Sequence, residues 1–245
     1  MGFINEFSWK CLLGKQAKNI QENNEIYTWE VLKKKHFACN KELTINEIKE
    51  LSGHSFHYLS ESNLLKIKSL YKVNKDKNVS VIIDLNKFNI SGVKNSGLRH
   101  SINSAKKQGL EIKDNFNNIK DVKDMLEEWS NVLAEKYFRD FSGKNEYFYS
   151  NNFHKDCINL FLYKEDKLMS FASVSPNKEN CSYIIGKALC NKIHGLSEYT
   201  DYLMYNKLIE LGFEKINLGQ AKKGLLFYKM KFPGAYKEVH YDGNY

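Results

Sequence analysis

Tyr228 and Lys229 lie in a short aromatic and basic run, GLLFYKMKF (224–232), which follows a strand-like segment ending in Asn217-Leu218-Gly219-Gln220. A lysine and a phenol held beside a strand end suit carbonyl chemistry. Backbone amides and one cation can steady the oxyanion that forms when a nucleophile attacks an acyl carbonyl. Lys229 is the expected cation, either at the oxyanion or at a ribose or phosphate of the donor. Tyr228, with it a candidate catalytic residue, is expected to pack in the core or stack on a base of the donor rather than to donate a proton to a leaving group. Asn217, Gly219 and Gln220 form the donor-binding strand end, while the neighbouring Lys222, Lys223 and Lys231 carry no assigned role.

A second cluster lies upstream, where Lys192-Ile193-His194-Gly195-Leu196-Ser197 opens the amphipathic run GLSEYTDYLMYNKLIELG (195–212). A helix start with free amides and a lysine beside it attracts phosphate, so Lys192, Gly195 and Ser197 are expected to bind the donor. Without a phosphate there, Gly195 and Ser197 are a helix cap, with Ser197 as the capping residue and Glu198 as a first-turn acid. His194, Glu198 and Asp201 are the candidates for a general base.

The 245 residues are 42% apolar and 13% aromatic, enough for a sizeable core without metals or disulfides. Five cysteines (Cys11, Cys39, Cys157, Cys181, Cys190) form no CxxC pair, and most read as buried thiols of a reducing compartment. Trp9, Trp29 and Trp129 read as packing residues. No metal site is expected: there is no HxxxH or Walker pattern, and His54 and His57 lack a third ligand. No stretch is apolar for long enough to cross a membrane, and a cytoplasmic location is expected. A net charge of +8 favours an anionic partner, or else reflects lysines spread over solvated faces.

Two segments near the start, IYTWEVLKKKHF (26–37) and LTINEIKELSG (43–53), have apolar residues at helical spacing, so residues 1–78 are expected to be short helices and loops. In the second, Thr44 and Glu47 form a capping-box pattern and Gly53 is a stop. VSVIIDL (79–85) reads as a central strand opening the main sheet. After it come a basic helix ending at Gly109, a strand, and an amphipathic helix over 122–137. The strands INLFLYK (158–164), LMSFASV (168–174) and SYIIGKAL (182–189) read as an antiparallel meander. The helix from 195, the strand EKINLG (214–219), the helix at 224–232 and the strand YKEVHY (236–241) complete a mixed α/β sheet with helices on its faces.

This order resembles the GNAT acyltransferase fold, and three phrases narrow the resemblance to the Fem-type aminoacyl transferases and the C-terminal domain of lysyl-phosphatidylglycerol synthase. They are Ala105-Lys106-Lys107-Gln108-Gly109-Leu110-Glu111-Ile112, then Asn217-Leu218-Gly219, then Gly224 to Gly234 around Tyr228-Lys229. The resemblance covers residues 79–240 and implies a GNAT-like domain over 79–245 behind an N-terminal unit over 1–78, either helical or a degenerate first GNAT-like unit. It implies an acyltransferase with no tightly bound cofactor, moving an aminoacyl group from charged tRNA to an amine or hydroxyl of a small molecule, peptide or lipid, with peripheral membrane contact. Arg99 would then meet tRNA or a phosphorylated acceptor, against the alternative of a solvated helix face. An acyl-CoA-dependent N-acyltransferase is the nearest rival, although Lys192 and Ser197 depart from the acetyl-CoA loop pattern. A non-catalytic protein binding nucleic acid or a membrane surface is the alternative from another class.

Overall fold

Val79 to Ile83 are β-branched and apolar, and they form the buried part of a long central strand, Asn74–Asp84. The computed structural model describes residues 17–137, 153–221 and 223–245; Trp9, Cys11 and Lys222 lie outside the described residues. Before the central strand, which is β5, come β1 (Lys18–Asn23), β2 (Ile26–Val31), β3 (Lys34–Cys39), α1 (Ile45–Glu50), β4 (Ser55–Leu59) and α2 (Glu61–Leu70). After it come α3 (Ser96–Lys106), β6 (Glu111–Lys113), α4 (Ile119–Tyr137), β7 (Ile158–Lys164), β8 (Lys167–Asn177) and β9 (Asn180–Ala188). The chain continues with α5 (Leu196–Glu210), β10 (Lys215–Gln220), α6 (Lys223–Met230) and β11 (Ala235–Asn244). From β5 onward this is the order of strands and helices the sequence implies.

Among the described residues, eleven strands share one sheet in the order β1-β2-β3-β4-β11-β5-β10-β9-β8-β7-β6. The two halves follow one plan. β1 to β5 and β7 to β11 each run through three antiparallel strands, a helix, a strand parallel to the third, a second helix and a last strand. The last strands are exchanged, since β11 pairs with β4 and β5 pairs with β10. β5 and β11 also pair with each other along ten positions, so the sheet is continuous across its middle.

The helix expected over 26–37 is instead the hairpin β2–β3, and the described part of 1–78 holds more strand than helix. Tyr27 and Trp29 alternate onto one buried face, and Leu32 and Lys33 both take left-handed φ values (50° and 64°), as a tight two-residue hairpin turn requires. Ile, Tyr, Thr, Trp and Val favour a pleated surface, and that preference prevails over a helical spacing carried by few residues. The second segment does form a helix. Thr44 Oγ1 accepts from Glu47 N at 3.3 Å, and Glu47 Oε2 accepts from Thr44 N at 2.8 Å.

Two cores follow from the two halves. α1 and α2 cover Phe37, Phe56, Leu59 and Tyr241, while Val81, Phe161, Phe171, Tyr205 and Ile216 belong to the larger core of the second half. α4 and α5 lie on opposite faces of the second half. Ser170 bonds Thr200 of α5 at 2.6 Å, whereas its strand neighbour Phe171 is registered with Lys187, whose ammonium lies over Trp129 of α4.

Candidate functional site

β9 and β10 run parallel and pair at three positions, Lys215↔Asn180, Ile216↔Cys181 and Asn217↔Ser182. Beyond these β9 continues to Ala188 and β10 to Gln220 without pairing each other. The opening is a cleft of about 930 Å³, lined by Trp129, Ile184, Lys187, Asp201, Tyr228 and Lys229 among others, a size suited to a small ligand. Two devices produce the parting. On β10, Gly219 takes φ +72° and the ladder to β5 shifts between Asn217 and Gln220; the Asn217 side chain closes this bulge by accepting from Gly219 N at 2.7 Å. On β9, Ile184 is the extra residue in a register shift against β8.

Lys229 reaches from α6 to the end of β10. Its ammonium donates to the carbonyls of Leu218, Gly219 (3.3 Å) and Gln220 (3.2 Å). Burial lowers its pKa to about 8, with Asp201 pulling the other way. The cation expected from the sequence therefore lines the cleft, held by the strand end expected beside it.

Asp201 sits on the buried stripe of α5 with Met204, Tyr205 and Leu208. Its two oxygens accept from Tyr183 and Tyr228, each at 2.7 Å. Burial raises its pKa to about 6 although both tyrosine bonds favour the charged form. Tyr228 is itself pushed well above the ordinary tyrosine range, by burial first and by Asp201 second, and its ring packs edge-on against Phe232. Tyr183 crosses its own strand to make its bond: a Cβ at Gly186 would lie 2.0 Å from the Tyr183 hydroxyl. The sequence reading named Asp201 only as one of three bases and missed Tyr183 and Gly186. A carboxylate within an apolar helical stripe was the signal available.

A second cation faces the same cleft. Lys187 lies 4.2 Å from the centroid of Trp129, burial lowers its pKa to about 8, and it has no carboxylate partner among the described residues. The sequence reading missed it.

The other expected residues are placed as follows. Gln220 and Asn217 turn their side chains to protein partners, the first to His240 and Asp242 and the second to Gly219. Gly195, rather than Ser197, caps α5; Ser197 lies inside the helix with its hydroxyl 3.0 Å from Cys190 Sγ, where both line the cleft. Gly195 has φ +76°, and a Cβ there would lie 2.0 Å from the carbonyl oxygen of Ser101, so it lets α5 abut α3. Lys192 pairs with Glu128 at 3.5 Å, and Glu198 pairs with Lys231. Arg99 donates to the carbonyls of Ile90, at 2.7 Å, and Gly92, fastening the loop before α3. No helix among the described residues is long and apolar enough to cross a membrane.

This geometry has known counterparts. The family model described as "Phosphatidylglycerol lysyltransferase, C-terminal" matches residues 47–232. A C-terminal domain assigned to a lysylphosphatidylglycerol synthetase of Agrobacterium fabrum is 16% identical, with TM-score 0.70, over 96% of this chain and 86% of that one. L-PGS from Bacillus licheniformis is 16% identical, with TM-score 0.71, over 97% and 86%. FemX is 12% identical, with TM-score 0.63, over 96% and 90%. No curated protein matches the chain in sequence. With its parted parallel strands, its sheet of the GCN5-related type and the match over most of its length, the chain belongs to the family of phosphatidylglycerol lysyltransferase C-terminal domains and is an acyltransferase.

Proposed function

We propose that the cleft between β9 and β10 transfers an aminoacyl group from charged tRNA to a hydroxyl or amine of a lipid or peptide acceptor. The observation that carries this reading is Lys229, a partly desolvated cation fixed at the point where the two strands part. The acceptor's oxygen or nitrogen attacks the ester carbonyl, and a tetrahedral oxyanion forms. One N–H of Lys229 exchanges a β10 carbonyl for that oxyanion, which strengthens as charge develops. The intermediate collapses by breaking the bond to the ribose oxygen, and that oxygen leaves with the proton the acceptor gives up. Ionised Asp201 holds the two tyrosines and favours the charged form of Lys229. The Tyr228 hydroxyl is committed to Asp201, which favours a positioning role over proton donation.

Lys187 adds a second cation to the cleft wall, suited to an anionic substrate of either kind. One feature supports an ester of nucleic acid over a CoA thioester. The loop at 192–197, on which the CoA reading relied, is engaged by α3 and by Glu128. The test uses tRNA charged with radiolabelled amino acids and vesicles containing phosphatidylglycerol or a soluble amine as acceptor. Label is expected to move from tRNA to acceptor. Micromolar binding of acetyl-CoA by calorimetry, without movement of label, would replace this reading with the CoA one.

A further inference from the structure

Gln220, at the end of β10, bonds to both α6 and β11. Its carbonyl accepts from Lys229 at 3.2 Å, while its Nε2 donates to Asp242 Oδ2 at 3.1 Å and to His240 Nε2 at 3.0 Å. The carboxylate settles which end of the amide faces it, because only the nitrogen carries hydrogens. His240 Nε2 is then an acceptor, and the ring proton belongs on Nδ1, toward Ser80 Oγ at 3.5 Å. Burial keeps His240 below the ordinary histidine value, against the pull of Asp242 and Glu238, which suits a neutral, accepting ring.

The grip on Gln220 is itself anchored. Asp242 accepts from Tyr58 N and from Asn78 Nδ2, both at 2.9 Å, and the His240 ring stacks on Tyr58 with centroids 4.3 Å apart. Strands β4, β5, β10 and β11 are thus tied together at one point. Two of the three carbonyls that hold Lys229, those of Leu218 and Gly219, lie within the bulge, where the ladder to β5 is interrupted, and the third is that of Gln220, where the ladder resumes opposite Ser80. A small shift of Gln220 therefore moves the acceptors of the lysine directly.

We propose that His240 and Asp242 are positioning residues for the transfer reaction: by gripping the Gln220 side chain they fix the carbonyls that aim Lys229 into the cleft. The inference rests on the reading of Lys229 as the cation of the oxyanion. It gives the first half of the sheet a part in the reaction, because Tyr58 of β4 supports both positioning residues.

The deciding variant is Gln220→Met, which keeps the backbone carbonyl and the side-chain length but removes both donors. The titration of Lys229 is followed by NMR on protein labelled with ¹⁵N-lysine, and transfer from charged tRNA is measured alongside. Gln220→Met is expected to lower kcat about tenfold with KM little changed, as loss of a transition-state interaction does. It should also move the Lys229 titration further down from about 8, by about one unit, because carbonyls that no longer hold the ammonium no longer favour its charged form. His240→Phe keeps a ring over Tyr58 without the acceptor and should act alike, while His240→Gln restores an acceptor and should recover both readouts. The double variant should be no worse than the worse single one, as expected for residues acting through each other. If Gln220→Met leaves the titration and kcat at wild-type values while Lys229→Ala is inactive, the positioning role is wrong and the reading of Lys229 stands. Full turnover by Lys229→Ala would overturn both.

Discussion

The sheet contains two parallel pairs, β3–β4 in the first half and β9–β10 in the second, and each is registered at three positions. Past those positions β3 has one residue left, Cys39, whereas β9 runs on through Tyr183 to Ala188. The short pair is filled by rings: His36 Nδ1 meets His57 Nε2 at 3.0 Å, and Trp29 packs on both imidazoles. The long pair parts over a cleft with a lysine and a carboxylate in its walls. Each pair has a left-handed residue on its second strand, Tyr58 on β4 and Gly219 on β10. One topology thus serves as support or as site, according to how far one strand outlasts its ladder and what the parted space holds.

The comparison breaks most sharply at Lys229. Lys229→Ala should lower kcat by about 10²-fold or more, the loss expected for an oxyanion partner; turnover at the wild-type rate would leave the second pair no more catalytic than the first. The pH profile of kcat/KM should be bell-shaped. Activity rises as Asp201 ionises near pH 6 and falls as Lys229 loses its proton near pH 8. Asp201 also carries a stability signature. Its folded pKa is raised from 3.8 to about 6, so its contribution is present in acid and lost as pH rises through that value. Asp201→Asn should flatten the stability profile between about pH 4 and pH 6, which denaturant titrations at several pH values would show.

Gly186→Ala should have a smaller effect, about tenfold on kcat with little loss of fold, because the added methyl displaces only the far end of Tyr183. A structure of the variant with the Tyr183–Asp201 bond intact would contradict it. His36→Phe should change least: turnover within twofold and stability lower by about 1 kcal/mol, the worth of one hydrogen bond. A large loss of turnover there would mean that the ring-filled pair is more than support.

Every element from β5 to β11 was legible in the sequence, for a physical reason. Strands such as Leu160 to Tyr163 and Ile82 to Ile83 are buried on both faces and read as unbroken apolar runs, and α4 and α5 are long enough for their pattern to be clear. The hairpin at 26–37 was not legible, since in so short a stretch apolar residues fit periods of two and of 3.6 alike. Lys229 and its strand end were visible because they lie within about a dozen residues of each other. Tyr183, Asp201 and Tyr228 were not visible as a unit. Their bonds span 18 and 27 residues and depend on a glycine that matters only once Tyr183 has folded back over it.

The exchange of last strands has a consequence for how the chain matures. β4 and β5 can each find a full complement of neighbours only after residues 235–244 have been synthesised and inserted between them. Until then the nascent polypeptide presents two adhesive strand borders to solvent or to a chaperone. Removing that segment should therefore leave two half-sheets prone to aggregate, rather than a slightly shortened enzyme.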